Sequence, residues 1–148
     1  MEYEGIVELL KKRMSEDLHS IILFGSATRP EDFAPGYSTI DLLILVKRKI
    51  PVIDRMKMIR ELAGKANLIF LTPREFMVLA EDQHPLVLLS IKDSKVLVDD
   101  GTFTELSKNV RVGEKALKYF KSFSYTYLSL ALESLLRGNY LDTPHYLY

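Results

Sequence analysis

Two hydrophobic periods alternate along this 148-residue chain. Near the start, Ile6, Leu9, Leu10, Met14 and Leu18 recur three and four residues apart among charged positions, which predicts an amphipathic helix resting on a larger body. The run Ile21-Ile22-Leu23-Phe24 then reads as a short buried strand, and Ile40 to Val46 as a central strand covered on both faces. Between them Gly25 and Ser26 end the first strand, and Pro30, Pro35 and Gly36 mark an irregular loop.

Pro51 opens a predicted helix in which Val52, Met56, Ile59 and Ala63 recur at spacings of four, three and four before Gly64 stops it. Ala66 to Leu71 is the next strand. Thr72-Pro73-Arg74-Glu75 then supplies an N-cap hydroxyl, a proline at the first helical position and the glutamate of a capping box, so a helix starts at Pro73. Pro85 to Ile91 fits helix or strand equally well. Lys95 to Val98 reads as a strand entering a turn at Asp99-Asp100-Gly101. From about Val112 to Arg137, Leu117, Phe120, Ser124, Tyr127, Ala131 and Leu135 form one stripe, and Gly138 is placed as a C-cap, which predicts a long terminal helix. The alternation of helix and strand predicts an α/β (α+β) sandwich: residues 1–110 as the main domain, and 111–148 as a helical extension packed on it or at an oligomer interface.

Lysine plus arginine equals aspartate plus glutamate at 20 each, so no global field draws the chain to nucleic acid or to an acidic membrane. No apolar run reaches the roughly 18 residues of a membrane span, and no leader pattern opens the chain; a soluble, cytoplasmic protein is expected. With no cysteine, metal ligation rests on oxygen and imidazole. His19, His84 and His145 lack the spacing of a zinc site or a catalytic dyad.

The chemistry concentrates in one stretch. Gly25 has no Cβ to hold a phosphate away from the backbone, and Ser26 offers a hydroxyl and an N–H. Arg29 stands three residues on, either as a phosphate ligand or as an exposed loop arginine. Asp41, second in an apolar strand, is costly to bury unless it meets a cation, a donor or solvent at the sheet end. Glu31, Asp32, Asp99 and Asp100 read as solvated turn residues, and Lys47-Arg48-Lys49 as a solvated loop.

In its order of strand, Gly-Ser, Arg29, long loop, Asp41-bearing apolar strand, helix, strand and Thr-Pro-Arg-Glu-Phe, roughly Leu10 to Phe76 resembles the small, minimal members of the nucleotidyltransferase superfamily. The resemblance implies a mixed, mainly antiparallel sheet flanked by helices. It also implies a nucleoside triphosphate held at Gly25, Ser26 and Arg29, and Mg²⁺ held by Asp41 as the catalytic and metal-binding acid. Thr39 and Asn67 stand where two further acids are expected. Two of three carboxylates are thereby replaced, which implies impaired or lost transfer of a nucleoside monophosphate to a hydroxyl acceptor. The alternative is a non-catalytic nucleotide-binding or protein-interaction module, such as an antitoxin-like partner of a helical protein. Tyr119, Phe120, Phe123, Tyr125, Tyr127, Tyr140, Tyr146 and Tyr148 exceed what one buried stripe needs, pointing to a homodimer or a helical partner at the C-terminal helix.

Overall fold

The structure is a computed structural model that describes residues 3–29, 31, 33–34, 38–139, 143 and 146. Pro30, Asp32, Pro35, Gly36, Tyr140, His145 and Tyr148 lie outside the described residues. The chain gathers into two compact units, Met1–Arg111 and Val112–Tyr148.

In the first unit, helix α1 (Tyr3–Met14) leads through a single 3₁₀ turn into strand β1 (Leu18–Phe24). Strand β2 (Ile40–Val46), helix α2 (Val52–Glu61), strand β3 (Ala66–Leu71) and helices α3 (Pro73–Glu81) and α4 (Pro85–Lys92) follow. Strand β4 (Ser94–Asp99) and the short helix α5 (Thr102–Ser107) complete it. The sheet order is β3-β2-β1-β4; β1 is antiparallel to both neighbours and β2 is parallel to β3. This is the mixed, mainly antiparallel sheet with flanking helices that the family resemblance implies.

Burial on both faces explains the unbroken apolar runs of β1 and β2. Ile21, Leu23, Leu42 and Ile44 pack with Ile6, Leu10 and Met14 of α1 on one face. Ile22, Phe24, Leu43 and Leu45 pack with Phe76 of α3, Val87 of α4 and Phe103 of α5 on the other. Each such side chain contributes on the order of 1.5–3 kcal/mol by leaving water. Phe76 meets the Phe103 ring edge-on at 6.0 Å. Truncating Phe76 to alanine in this closed layer would cost about 3–5 kcal/mol.

The capping box forms as predicted: the Glu75 N–H donates to Thr72 Oγ1 at 3.2 Å, and the Thr72 N–H to Glu75 Oε2 at 2.9 Å. That backbone bond to Thr72 is the chief reason the Glu75 carboxyl titrates below its ordinary range.

Three sequence expectations are corrected. Leu18 is not the last residue of the first helix but the first of β1, because the helix stops at Met14. Helix α2 exists, yet Val52, Met56 and Ile59 are exposed while Met58 and Leu62 are buried, so its spacing located the helix and not its inner face. The turn after β4 continues into α5, whose six residues are too few to show a helical period. The ambiguous Pro85 to Ile91 run is helical, with a proline at its first turn.

In the second unit, helix α6 (Glu114–Leu136) spans 23 residues, and Gly138 beyond it takes φ +75°. Of the predicted stripe only Ala131 is buried, joined by Ala116 and Ser134, whereas Leu117, Phe120, Tyr127 and Leu135 are exposed. Among the described residues no helix is long and apolar enough to cross a membrane.

Candidate functional site

Strand register brings the predicted site residues to one corner of the sheet. Asp41 lies opposite Phe24 on β1 and opposite Asn67 on β3. Thr39, two residues before Asp41, shares its face by the strand period of two. One side-chain amide ties the three together: Asn67 Nδ2 donates to Thr39 Oγ1 at 3.0 Å and to Asp41 Oδ1 at 2.8 Å. Both hydrogens of that NH₂ group are thus used.

The other carboxylate oxygen faces the turn that ends β1. A Cβ on Gly25 would stand 3.0 Å from Asp41 Oδ2, and Gly25 holds φ +75°, a conformation that costs other residues about 1–2 kcal/mol. Glycine is therefore required twice here, by backbone conformation and by the approach of the acid. A 3₁₀ turn over Gly25–Thr28 follows, fixed by Thr28 Oγ1 donating to the Gly25 carbonyl at 2.7 Å and by the Arg29 N–H donating to the Ser26 carbonyl at 3.1 Å. Gly25, Ser26, Thr39 and Asp41 are half-buried, while Arg29, Glu31 and Asn67 are exposed. Sequence reasoning passed over Thr28; its signal was a hydroxyl residue three positions after the glycine it locks.

The remaining acids are elsewhere. Asp99 pairs with Ser20, four residues back along β1 from the Asp41 corner. There Ser20 Oγ donates to Asp99 Oδ1 at 2.7 Å, and the Phe103 N–H, Thr104 N–H and Thr104 Oγ1 complete its shell. Burial pushes Asp99 up, but the bonds from Thr104, Ser20 and the two N–H groups outweigh it and hold the carboxyl low. Asp100 accepts from the Thr102 N–H at 3.1 Å and lies 2.6 Å from His19 Nδ1. Hydrogen bonding from Thr102, then from His19, lowers it to about 2. These two acids are start-of-helix acceptors for α5; Asp100 is exposed in the turn as expected, whereas Asp99 is half-buried. Among the described residues no group of three or more His, Asp or Glu side chains is gathered to hold a metal.

A four-stranded mixed sheet, a glycine turn closing its first strand and an acid opening its second define a nucleotidyltransferase-like fold, with a long C-terminal helix. No family model matches the chain, and no curated protein matches it. Solved structures do. One is a toxin–antitoxin complex with AMP-PNP, 16% identical, with a TM-score of 0.53 over 91% of this chain and 99% of that one. A second is a toxin–antitoxin MntA-HpeT mutant with paired Asp-to-Glu substitutions, at the same identity, TM-score and coverage. Likeness at this identity establishes the fold.

Proposed function

We propose that this chain is a nucleotidyltransferase-fold protein that seats a nucleoside triphosphate at Gly25 and Ser26, and in which transfer of a nucleoside monophosphate to a hydroxyl is impaired. The observation that carries the reading is the Asn67 amide bridging Thr39 and Asp41. The phosphates would lie along the open backbone of the Gly25–Thr28 turn, with the Ser26 hydroxyl as donor and Arg29 as the cation at its exit. The AMP-PNP in one comparison structure is consistent with such a ligand.

Nucleotidyl transfer on this fold implies Mg²⁺. Two-metal chemistry needs carboxylates that bridge hard cations. Thr39, Asp41 and Asn67 bring one negative charge among them, and Asn67 turns N–H donors toward the place where acceptors would be needed. This donor set does not fit a metal pair. Its own residues can instead orient a triphosphate: Gly25 admits it, Ser26 donates to it, and the Asn67 amide holds Asp41 in one rotamer.

The test is calorimetric titration of Mg²⁺ into nucleotide-loaded protein, comparing wild type with the double variant Thr39→Asp/Asn67→Asp. Restoring two acids is expected to tighten Mg²⁺ at least tenfold. Equal affinity in the two proteins would overturn the impaired-site reading.

A second reading, a protein-interaction module, is favoured by the exposed apolar surface of α6. Both comparison structures are toxin–antitoxin complexes, so an antitoxin-like role beside a helical partner is its concrete form.

A further inference from the structure

Arg55, Met58 and Leu62 fall three and four residues apart on the inner side of α2 and its C-cap. Met58 and Leu62 are buried there. Arg55 is half-buried, and its Nε is a buried donor with no hydrogen-bond partner among the described residues. An inward arginine on an otherwise apolar stripe gives up hydration without regaining it from the protein, which is unfavourable unless something else completes its shell.

The surroundings show what is missing. Because β2 and β3 are parallel, α2 and α3 both start at the carboxyl end of that pair. Lys49 lies there, 3.9 Å from Glu75 Oε1. Behind the bonds from Thr72, the charges of Lys49 and Arg55 help to hold the Glu75 carboxyl low. Glu75 nevertheless leaves Arg55 unbonded, because its Oε2 takes the Thr72 N–H and hydroxyl of the capping box. Neighbouring cations have acids of their own: Arg13 meets Glu61 at 2.9 Å, Arg48 meets Asp17 at 2.9 Å, and Lys57 meets Asp54 at 3.7 Å. Arg55 has no such acid among the described residues. Lys49 also lines a cavity of about 510 Å³, with Arg13, Arg48 and Lys57 set against Asp17 and Asp54.

We propose that Arg55 and Lys49 form a phosphate-binding site at the carboxyl end of β2 and β3. It is separate from the Asp41 corner, which lies at the other end of β2, about 16 Å away at roughly 3.3 Å per residue. The Nε–H of a guanidinium and an N–H beside it form a fork that holds two oxygens of one oxyanion, and a lysine adds a point charge toward a third. A tetrahedral phosphate supplies that third oxygen and a planar carboxylate does not. The ligand is therefore inorganic phosphate or a phosphate monoester, the cavity beside Lys49 taking the body of an ester.

The thermal unfolding midpoint of the full chain, read in phosphate and in chloride at equal ionic strength, is the test. Phosphate at several times its dissociation constant is expected to raise wild type by about 2–4 °C. Arg55→Met keeps the helix propensity and should show no phosphate increment. In chloride the same substitution should leave the midpoint unchanged or raise it, since it removes an unanswered buried donor. Independently of that variant's folding, the Arg55 Nε–H resonance of wild type, assigned through Arg55→Lys, should shift as inorganic phosphate is added. Phenyl phosphate binding tighter than inorganic phosphate gives the site to an ester, and the reverse order gives it to the free ion; both support it. A phosphate increment that survives in Arg55→Met belongs to the Gly25 turn and overturns the proposal. So does an Nε–H resonance that ignores phosphate, acetate acting as strongly as phosphate, or Arg55→Met being destabilised equally in both buffers.

Discussion

Two carboxylate sites lie along β1, and they are built on opposite plans. At the Ser20 end, Asp99 takes bonds from two hydroxyls and two backbone N–H groups, and Asp100 is met by Thr102 and His19. Every strong acceptor there is answered by the protein itself, and the acids join β1, β4 and α5. At the Gly25 end, Asp41 takes one bond from Asn67, and its second oxygen is aimed at a turn kept clear of side-chain atoms by glycine. An acid whose shell is complete is structural. An acid bonded to one neighbour through one oxygen, with the other facing a bare glycine turn, is the one disposed to meet a ligand.

This contrast is broken most severely by Asp99→Ala. It leaves the buried Ser20 hydroxyl and the first N–H groups of α5 unanswered, and should cost about 2–3 kcal/mol in urea unfolding with nucleotide affinity unchanged. Gly25→Ala acts on both properties. The positive φ should cost about 1–2 kcal/mol, and crowding of Asp41 Oδ2 should weaken nucleotide binding in the same preparation. Asp41→Ala should do the reverse of Asp99→Ala, with a stability change under about 1 kcal/mol and loss of the Mg²⁺-dependent part of nucleotide binding by calorimetry. A large stability loss for Asp41→Ala would make it a second structural acid and erase the distinction.

The smallest effect is on pH dependence. Asp100 titrates near 2 in the folded chain against 3.8 ordinarily, and Asp99 is shifted in the same direction. A folded value below the unfolded one means that this stabilisation is present above about pH 4 and is lost as pH falls toward 2. His19→Ala should flatten that acid limb of the unfolding midpoint against pH. An acid limb identical to wild type would remove His19 from the cluster.

The legible part of the sequence was the part in which local chemistry and packing agree. The strands at Ile40 to Val46 and Ala66 to Leu71, and the capping box at Thr72, carry their signals within a few residues, and the structure places them as predicted. Register then brings Thr39, Asp41 and Asn67 together, though they are separated by as many as 28 positions. What could not be read was which side of an apolar helix faces inward. Val52, Met56 and Ile59 have a regular spacing but lie outside, because Met58 and Leu62 fill the space under α2. The same holds for Leu117 and Leu135 of α6. Helix α5 escaped notice because it owes its start to Asp99 and Asp100, whose role depends on Ser20 and His19 some eighty residues away.

The most direct measurement is calorimetric titration of the wild-type chain and of Asp41→Ala with ATP, GTP, CTP and UTP, each with and without Mg²⁺. At least one triphosphate is expected to bind wild type, with Mg²⁺ tightening it only slightly and Asp41→Ala removing that Mg²⁺ increment while leaving the metal-free affinity undiminished. Tight, strictly Mg²⁺-dependent binding would contradict the impaired-site claim, and absence of binding to all four would contradict the nucleotide site itself.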